Sequence, residues 1–190
     1  MGKRRTNTTL LIGGAIGLGS AYLLYIYSQK FTRDFTYSDL TRSAKASELG
    51  IVEQFKRPPA RIVHQARQFA RIVLQPISDI LNAQLVVTGW YRHPLLNQAL
   101  KGATNSGHLE AEAIDVQVWI NGVMDNNEII RAVVASGVPF TKIISEYGTF
   151  INPLYIHIRY TPKINTQLIL RKDADGYHIL TLSERQQLGI

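Results

Sequence analysis

Three side chains with metal-ligating chemistry sit in or beside strand-like sequence. They are His108 and Asp115 in "NSGHLEAEAIDVQV", residues 105–118, and His157 in "YIHIRY". Both stretches alternate in polarity. Asp115, Gln117 and Trp119 oppose Ile114, Val116 and Val118, while Tyr155, His157 and Arg159 oppose Ile156 and Ile158, the period-two pattern of a strand with one polar and one apolar face. If these strands are neighbours, an aspartate and a histidine project from one sheet face, and His108 closes over them from the preceding loop. Zinc accepts such a set in catalytic sites: two imidazole nitrogens and one carboxylate oxygen at about 2.0–2.2 Å, with a fourth position open to water. Taken singly, each histidine has the plainer alternative of a hydrogen-bonded core or surface residue. The sequence has no HExxH helix to strengthen the metal reading. His64, His93 and His178 read as surface residues.

The elements that must position these residues follow from periodicity and turn chemistry. Thr36 to Asp39 makes a capping-box-like start and Gly50 a stop, which predicts one short helix. A second helix begins at Pro58-Pro59, with Ile62, Ala66, Phe69, Ile72 or Val73, Ile77 and Ile80 at helical spacing; Pro76 should kink it or mark its last turn. "QLVVTGW" reads as a strand, "HPLLNQAL" as a short helix, and "AIDVQVWI" as a strand that turns at Asn121-Gly122. "NNEIIRAVVASG" predicts a helix ending at Gly137. "KIISEY", "LYIHIRY" and "TQLILRK" predict strands, and Asp175-Gly176 a last hairpin with "YHILTL". The order predicts an α+β domain, helices first and then a mostly antiparallel sheet with flanking helices.

The chain has 190 residues and a formal net charge of +7, but the charge is unevenly placed. Residues 1–71 carry 12 Lys+Arg against 4 Asp+Glu, and residues 72–190 carry 9 against 10. The part holding the candidate ligands is therefore near neutral, which argues against a nucleic-acid-binding face there. The basic excess suits anionic lipid or wall polymer. Zero cysteines exclude disulfides and thiolate zinc sites. An uncharged run from Thr6 to Gln29 follows Lys3-Arg4-Arg5 and exceeds the roughly 20 apolar residues that span a bilayer. Residues 1–30 are thus expected to form a cytoplasmic tip and a single transmembrane anchor, N-terminus inside, with residues 31–190 on the far side. A cleaved signal peptide is the alternative.

The run "SGHLEAEAID" resembles the Ser-x-His-x-x-Gly-x-Ala-x-Asp signature of the zinc D-Ala-D-Ala carboxypeptidase and L-Ala-D-Glu endolysin family of peptidoglycan peptidases, whose fold is shared with the hedgehog signalling domain. Before it, "TGWYRHPLLNQALKGATNSGH" is similar to the family's Ser-Gly-Tyr-Arg block. After it, "KIISEYGTFINPLYIHIRY" is similar to the closing Glu…Trp-Val-His-Val-Ser block. The likeness runs from about Phe35 to about Leu170. It implies that His108, Asp115 and His157 are zinc ligands, that Glu146 is the general base, and that Arg92 holds the substrate carbonyl or carboxylate. Ser106, Tyr155 and Arg159 would line the substrate pocket.

What the resemblance implies as a whole is a membrane-anchored zinc peptidase cutting an amide of the peptidoglycan stem peptide. It would act on the wall side of a bacterial inner membrane or of a bacteriophage virion membrane. Three positions depart from the family pattern: Ala111 stands for glycine, Arg159 for serine and Tyr155 for tryptophan. If position 111 needs a left-handed backbone, alanine is strained there, and a cation at Arg159 would compete with zinc or bind an acidic part of the substrate. Tyr155 for tryptophan is conservative; Ala111 and Arg159 motivate the alternative of a catalytically degenerate peptidoglycan-binding or structural membrane protein, for example of a membrane-containing virion.

Overall fold

The computed structural model describes residues 29–51 and 57–190. Residues 6–28 of the expected anchor lie outside these; among the described residues no helix is long and apolar enough to cross a membrane. The predicted first helix is two. In α1 (Tyr37–Thr41), Thr36 and Asp39 close a capping box; α2 (Ala44–Glu48) begins at Ser43, whose hydroxyl accepts from the Ala46 N–H at 3.1 Å. Serine hydroxyls compete with the helix interior for backbone N–H groups, and Arg42, extended at φ −76° and ψ 128°, breaks the run.

Pro76 does not end its helix. The chain passes from α3 (Ala60–Phe69) through a π turn (Ala70–Leu74) into α4 (Gln75–Leu81), with the Gln75 N–H reaching back to the Ala70 carbonyl. Proline cannot donate to the carbonyl four residues back. The wider turn shifts the hydrogen-bond register just ahead of it, and the helix runs on to Asn82, left-handed at φ 47°. Of the expected stripe, Ile62, Ala66, Phe69, Val73 and Ile77 are fully buried and are joined by Leu74, whereas Ile72 and Ile80 are exposed.

Strands β1 (Val86–Gly89), β2 (Ala113–Gln117), β5 (Lys142–Thr149), β6 (Asn152–Arg159), β7 (Leu168–Asp173) and β8 (Gly176–Ile179) form one sheet in the order β1-β2-β6-β5-β7-β8. Every pairing is antiparallel except β5 with β7. The small hairpin of β3 (Trp119–Ile120) and β4 (Val123–Met124) turns at Asn121 and Gly122, both left-handed at φ 53° and 78°, as such tight hairpins require. The sheet has one greasy face. Ile114, Val116, Ile143, Ile156 and Ile158 share a core with α3, α4 and α6 (Asn127–Ser136), which ends at left-handed Gly137 as expected. The opposite face carries the polar set. The predicted short helix is α5 (Pro94–Ala99); outside the predicted elements is α7 (Leu182–Leu188), started by a Thr181–Glu184 capping box and tied to α6 by Arg131 Nε donating to the Leu188 carbonyl at 2.7 Å.

Candidate functional site

Register explains how residues far apart in sequence meet. Asp115 on β2 lies directly across from His157 on β6, and Gly89 on β1 lies across from Asp115 on its other side. Residues directly opposite share a sheet face, so the predicted pair projects together. One rung along, Tyr155 on β6 faces Glu146 on β5, which faces Lys172 on β7, which faces Tyr177 on β8. His108 arrives from a 3-10 turn (Gly107–Glu110) that ends at Ala111. Ala111 has φ 53°, so the position is left-handed, as the departure from glycine had raised; its side chain is fully buried.

His157 Nδ1 lies 2.9 Å from Asp115 Oδ1, and His108 Nε2 lies 3.4 Å from Asp115 Oδ2. The two imidazole rings meet edge to face at 5.1 Å. One donor atom from each of the three residues lies within 4.8 Å of the others, a cluster that could hold a metal ion. His108 Nδ1 donates to the Trp90 carbonyl at 2.7 Å. A carbonyl only accepts, so that bond places a proton on Nδ1 and leaves Nε2 facing the carboxylate, where it either carries a second proton or turns its lone pair to a cation. Opposed lone pairs at that distance call for a proton or a cation between them. Burial alone would push the Asp115 carboxyl up, but the charge and hydrogen bonds of His108, then of His157, outweigh it and hold the carboxyl well below the usual carboxylate range.

Trp90 is a site residue that the sequence reading passed over. Phe31, Phe35 and Phe69 each meet its indole edge to face, at 6.0, 6.3 and 6.1 Å, and its Nε1 donates to the Ala111 carbonyl at 3.3 Å. Aromatic pairs of this geometry contribute about 0.5–1.5 kcal/mol each beyond area burial. The ring is thus fixed by the core while its backbone aims His108. Only the aromatic run around residues 31–35 could have hinted at it.

The cluster opens into a cavity of about 490 Å³, whose wall includes Arg92, Ser106, Glu146, Tyr155 and Lys172. Five of the expected site residues beyond the ligands were Glu146, Arg92, Ser106, Tyr155 and Arg159, and the first four are here. Glu146 is buried, and its Oε2 accepts from the Tyr155 hydroxyl at 3.1 Å. Burial, then the charges of Asp115 and Glu146, raise the Tyr155 phenol far above its ordinary value, so it stays a proton donor. Arg92 Nη2 stands 3.8 Å from Asp115 Oδ2, and its backbone N–H donates to the His108 carbonyl at 3.0 Å. Arg92 and Asp115 also line a neighbouring cavity of about 290 Å³.

Arg159 is placed differently from the expectation. Its guanidinium donates to Glu112 at 3.0 Å and to the Thr161 hydroxyl at 3.2 Å, away from the cavity wall. Glu112 neutralises the cation that was expected to face zinc or substrate. Of the surface histidines, His93 Nδ1 accepts from the Leu95 N–H and His178 pairs with Asp173.

Comparison with curated proteins returns no match. The model of the Peptidase M15 family matches residues 33–158, about two thirds of the chain. That span holds the cluster, the cavity carboxylate and the arginine in the order the three sequence motifs implied, and on it the chain belongs to the Peptidase M15 family of zinc peptidoglycan metallopeptidases.

Proposed function

We propose that the chain is a zinc-dependent peptidase that hydrolyses an amide bond of the peptidoglycan stem peptide, as a carboxypeptidase or endopeptidase. Its N-terminal run would hold it to the membrane with the catalytic domain on the wall side. The observation that carries the reading is the meeting of the His108–Asp115–His157 cluster with Glu146 and Arg92 on one cavity wall. The donor set fits zinc: two imidazoles and one carboxylate, each with one ligand atom within 4.8 Å of the others, with a carbonyl orienting the first imidazole from behind.

Zinc held by His108, Asp115 and His157 would supply Lewis acidity, polarising the scissile carbonyl and lowering the pKa of water to about 7. Glu146 takes a proton from the attacking water as the new C–O bond forms at the carbonyl carbon. It then delivers that proton to the amide nitrogen as the C–N bond breaks, so the carboxylate returns ionised and one water is consumed. Arg92 stabilises the negative charge that develops on the carbonyl oxygen. Ser106 and Tyr155 flank the bound peptide. Neither departure argues for a degenerate relative: Ala111 adopts the left-handed turn that presents His108, and Arg159 is paired with Glu112.

The test is the full-length protein on purified peptidoglycan, with zinc measured by elemental analysis and products by mass spectrometry. One zinc per chain and new amines that vanish with chelator and with Glu146→Gln are expected. No zinc, or equal amine release by the Glu146→Gln protein, would overturn the reading.

A further inference from the structure

The family match ends at residue 158, yet the wall of the cavity continues past it. The β7–β8 hairpin contributes Lys172 and Tyr177. Lys172 is there because of the parallel pairing of β5 and β7, which sets it across from Glu146. Its Nζ reaches Glu146 Oε2 at 3.4 Å and donates to the Tyr147 hydroxyl at 3.0 Å. The same ammonium stands 4.8 Å from the Tyr147 ring centroid and 5.1 Å from that of Tyr177, distances at which ring faces attract cations.

Tyr147 reaches this group through an irregularity. Consecutive residues of a strand point to opposite faces, so Tyr147 would ordinarily turn away from the cavity that Glu146 faces. It is left-handed at φ 57°, followed by left-handed Gly148, and both Glu146 and Tyr147 line the cavity. Non-glycine residues are strained in this conformation and persist in it where surrounding structure enforces it. Here the twist brings a hydroxyl and a ring to the ammonium.

The bonds on Glu146 are one-sided. The Tyr155 hydroxyl and the Lys172 ammonium both address Oε2, and among the described residues no hydrogen bond reaches Oε1. We propose that Lys172 is a positioning residue for Glu146: with Tyr155 it clamps Oε2, so that Oε1 alone is presented to the reacting water. This deepens the peptidase reading and rests on it. Burial alone would lower the Lys172 pKa, but the Tyr147 hydrogen bond and the Glu146 charge raise it above its ordinary value, so the group stays cationic.

The experiment compares full-length wild type with Lys172→Met, Lys172→Arg, Glu146→Gln and the Glu146→Gln/Lys172→Met double variant. Readouts are kcat and KM on purified muropeptides, zinc content, and the crystal structure of Lys172→Met. Expected for Lys172→Met is a fall in kcat of about tenfold or more, the scale of one charge-assisted hydrogen bond, with KM and zinc content within about twofold. Lys172→Arg should recover most of the loss, and the double variant should be no slower than Glu146→Gln. An unchanged kcat in Lys172→Met, or a full further loss in the Glu146→Gln background, overturns the role. If wild type hydrolyses nothing, the peptidase reading fails, and the Lys172→Met structure decides positioning by itself. A Glu146 carboxylate swung off the Tyr155 hydroxyl sustains it; an unmoved carboxylate overturns it. Should Lys172→Met not fold, Tyr177→Ala, at an exposed position, loosens the same ammonium and is read by the same criteria.

Discussion

Gly89 offers a way to disturb the metal cluster without touching a ligand. It lies across from Asp115 in the β1–β2 register, and a Cβ built on it would stand 3.3 Å from Asp115 Oδ2. Its backbone is not left-handed, so Gly89→Ala introduces contact and not backbone strain. Carbon and oxygen at that distance are slightly too close, and the carboxylate must give by about 0.2 Å, comparable with the tolerance of metal–ligand distances. Displacements of this kind behind a ligand cost about 10–100-fold in metal affinity. We expect a loss of about tenfold in zinc affinity, or about 1.4 kcal/mol. The fold should respond with the opposite sign, because alanine restricts the unfolded chain and adds about 0.4–1 kcal/mol where the backbone accommodates it. Competition against a chromophoric chelator measures the first effect, and thermal unfolding of metal-free protein the second. Zinc affinity within about twofold of wild type would refute the idea that the Asp115 oxygen facing Gly89 takes part in the centre.

Other outcomes follow from buried groups elsewhere. At Ala111, relief of left-handed strain worth about 1–2 kcal/mol is opposed by the lost buried methyl, about 0.8 kcal/mol, and by added unfolded-state freedom. Ala111→Gly should therefore change stability by less than about 1 kcal/mol in denaturant titration, and a gain above about 2 kcal/mol would show strain uncompensated. Asn126 is fully buried, accepting from the Val118 N–H at 2.9 Å and donating to the Pro153 and Leu154 carbonyls at 3.0 Å each. Gln117 also donates to the Leu154 carbonyl, so Asn126→Ala orphans two groups, about 3 kcal/mol in all. That corresponds to a fall in Tm of about 6–12 °C for a chain of this size, checked by calorimetry; a fall under about 2 °C would mean the orphaned groups find new partners. Arg33 and Gln75 bond Asp34, and the Arg33 hydrogen bond, the largest influence, holds its carboxyl below the usual value. Its contribution is present above about pH 4 and is lost as pH falls through the lower folded value. Asp34→Asn should flatten that part of the acid stability curve in urea titrations, and a curve as steep as wild type would assign the slope to other acids.

Much of the site was legible because strand period and cross-strand pairing obey short-range rules. The alternations around Asp115 and His157 placed both on a polar face, and their neighbouring strands did the rest. The capping box at Thr36 was equally visible, whereas the break at Arg42 was not, since Ser43 reads as a polar helix residue until its hydroxyl is seen to cap. Pro76 was expected to kink the helix or mark its last turn; that the chain accommodates it by a π turn over the preceding residues was not readable locally. Arg159 was read from its face alone; the partner that engages it, Glu112, precedes β2 and reaches it only through sheet pairing. Lys172 depends on a parallel crossover and on the conformation of Tyr147, neither of which local sequence encodes.

Phe31 and Phe35 brace the tryptophan whose carbonyl aims His108, and Arg67 donates to the Gln29 side chain at 2.7 Å. Hardly any slack chain separates residue 29 from the hydrophobic interior. The first described residues are therefore part of the scaffold of the metal cluster and not a lead-in to it. Trimming back to residue 36 would unseat the ring that steers the imidazole.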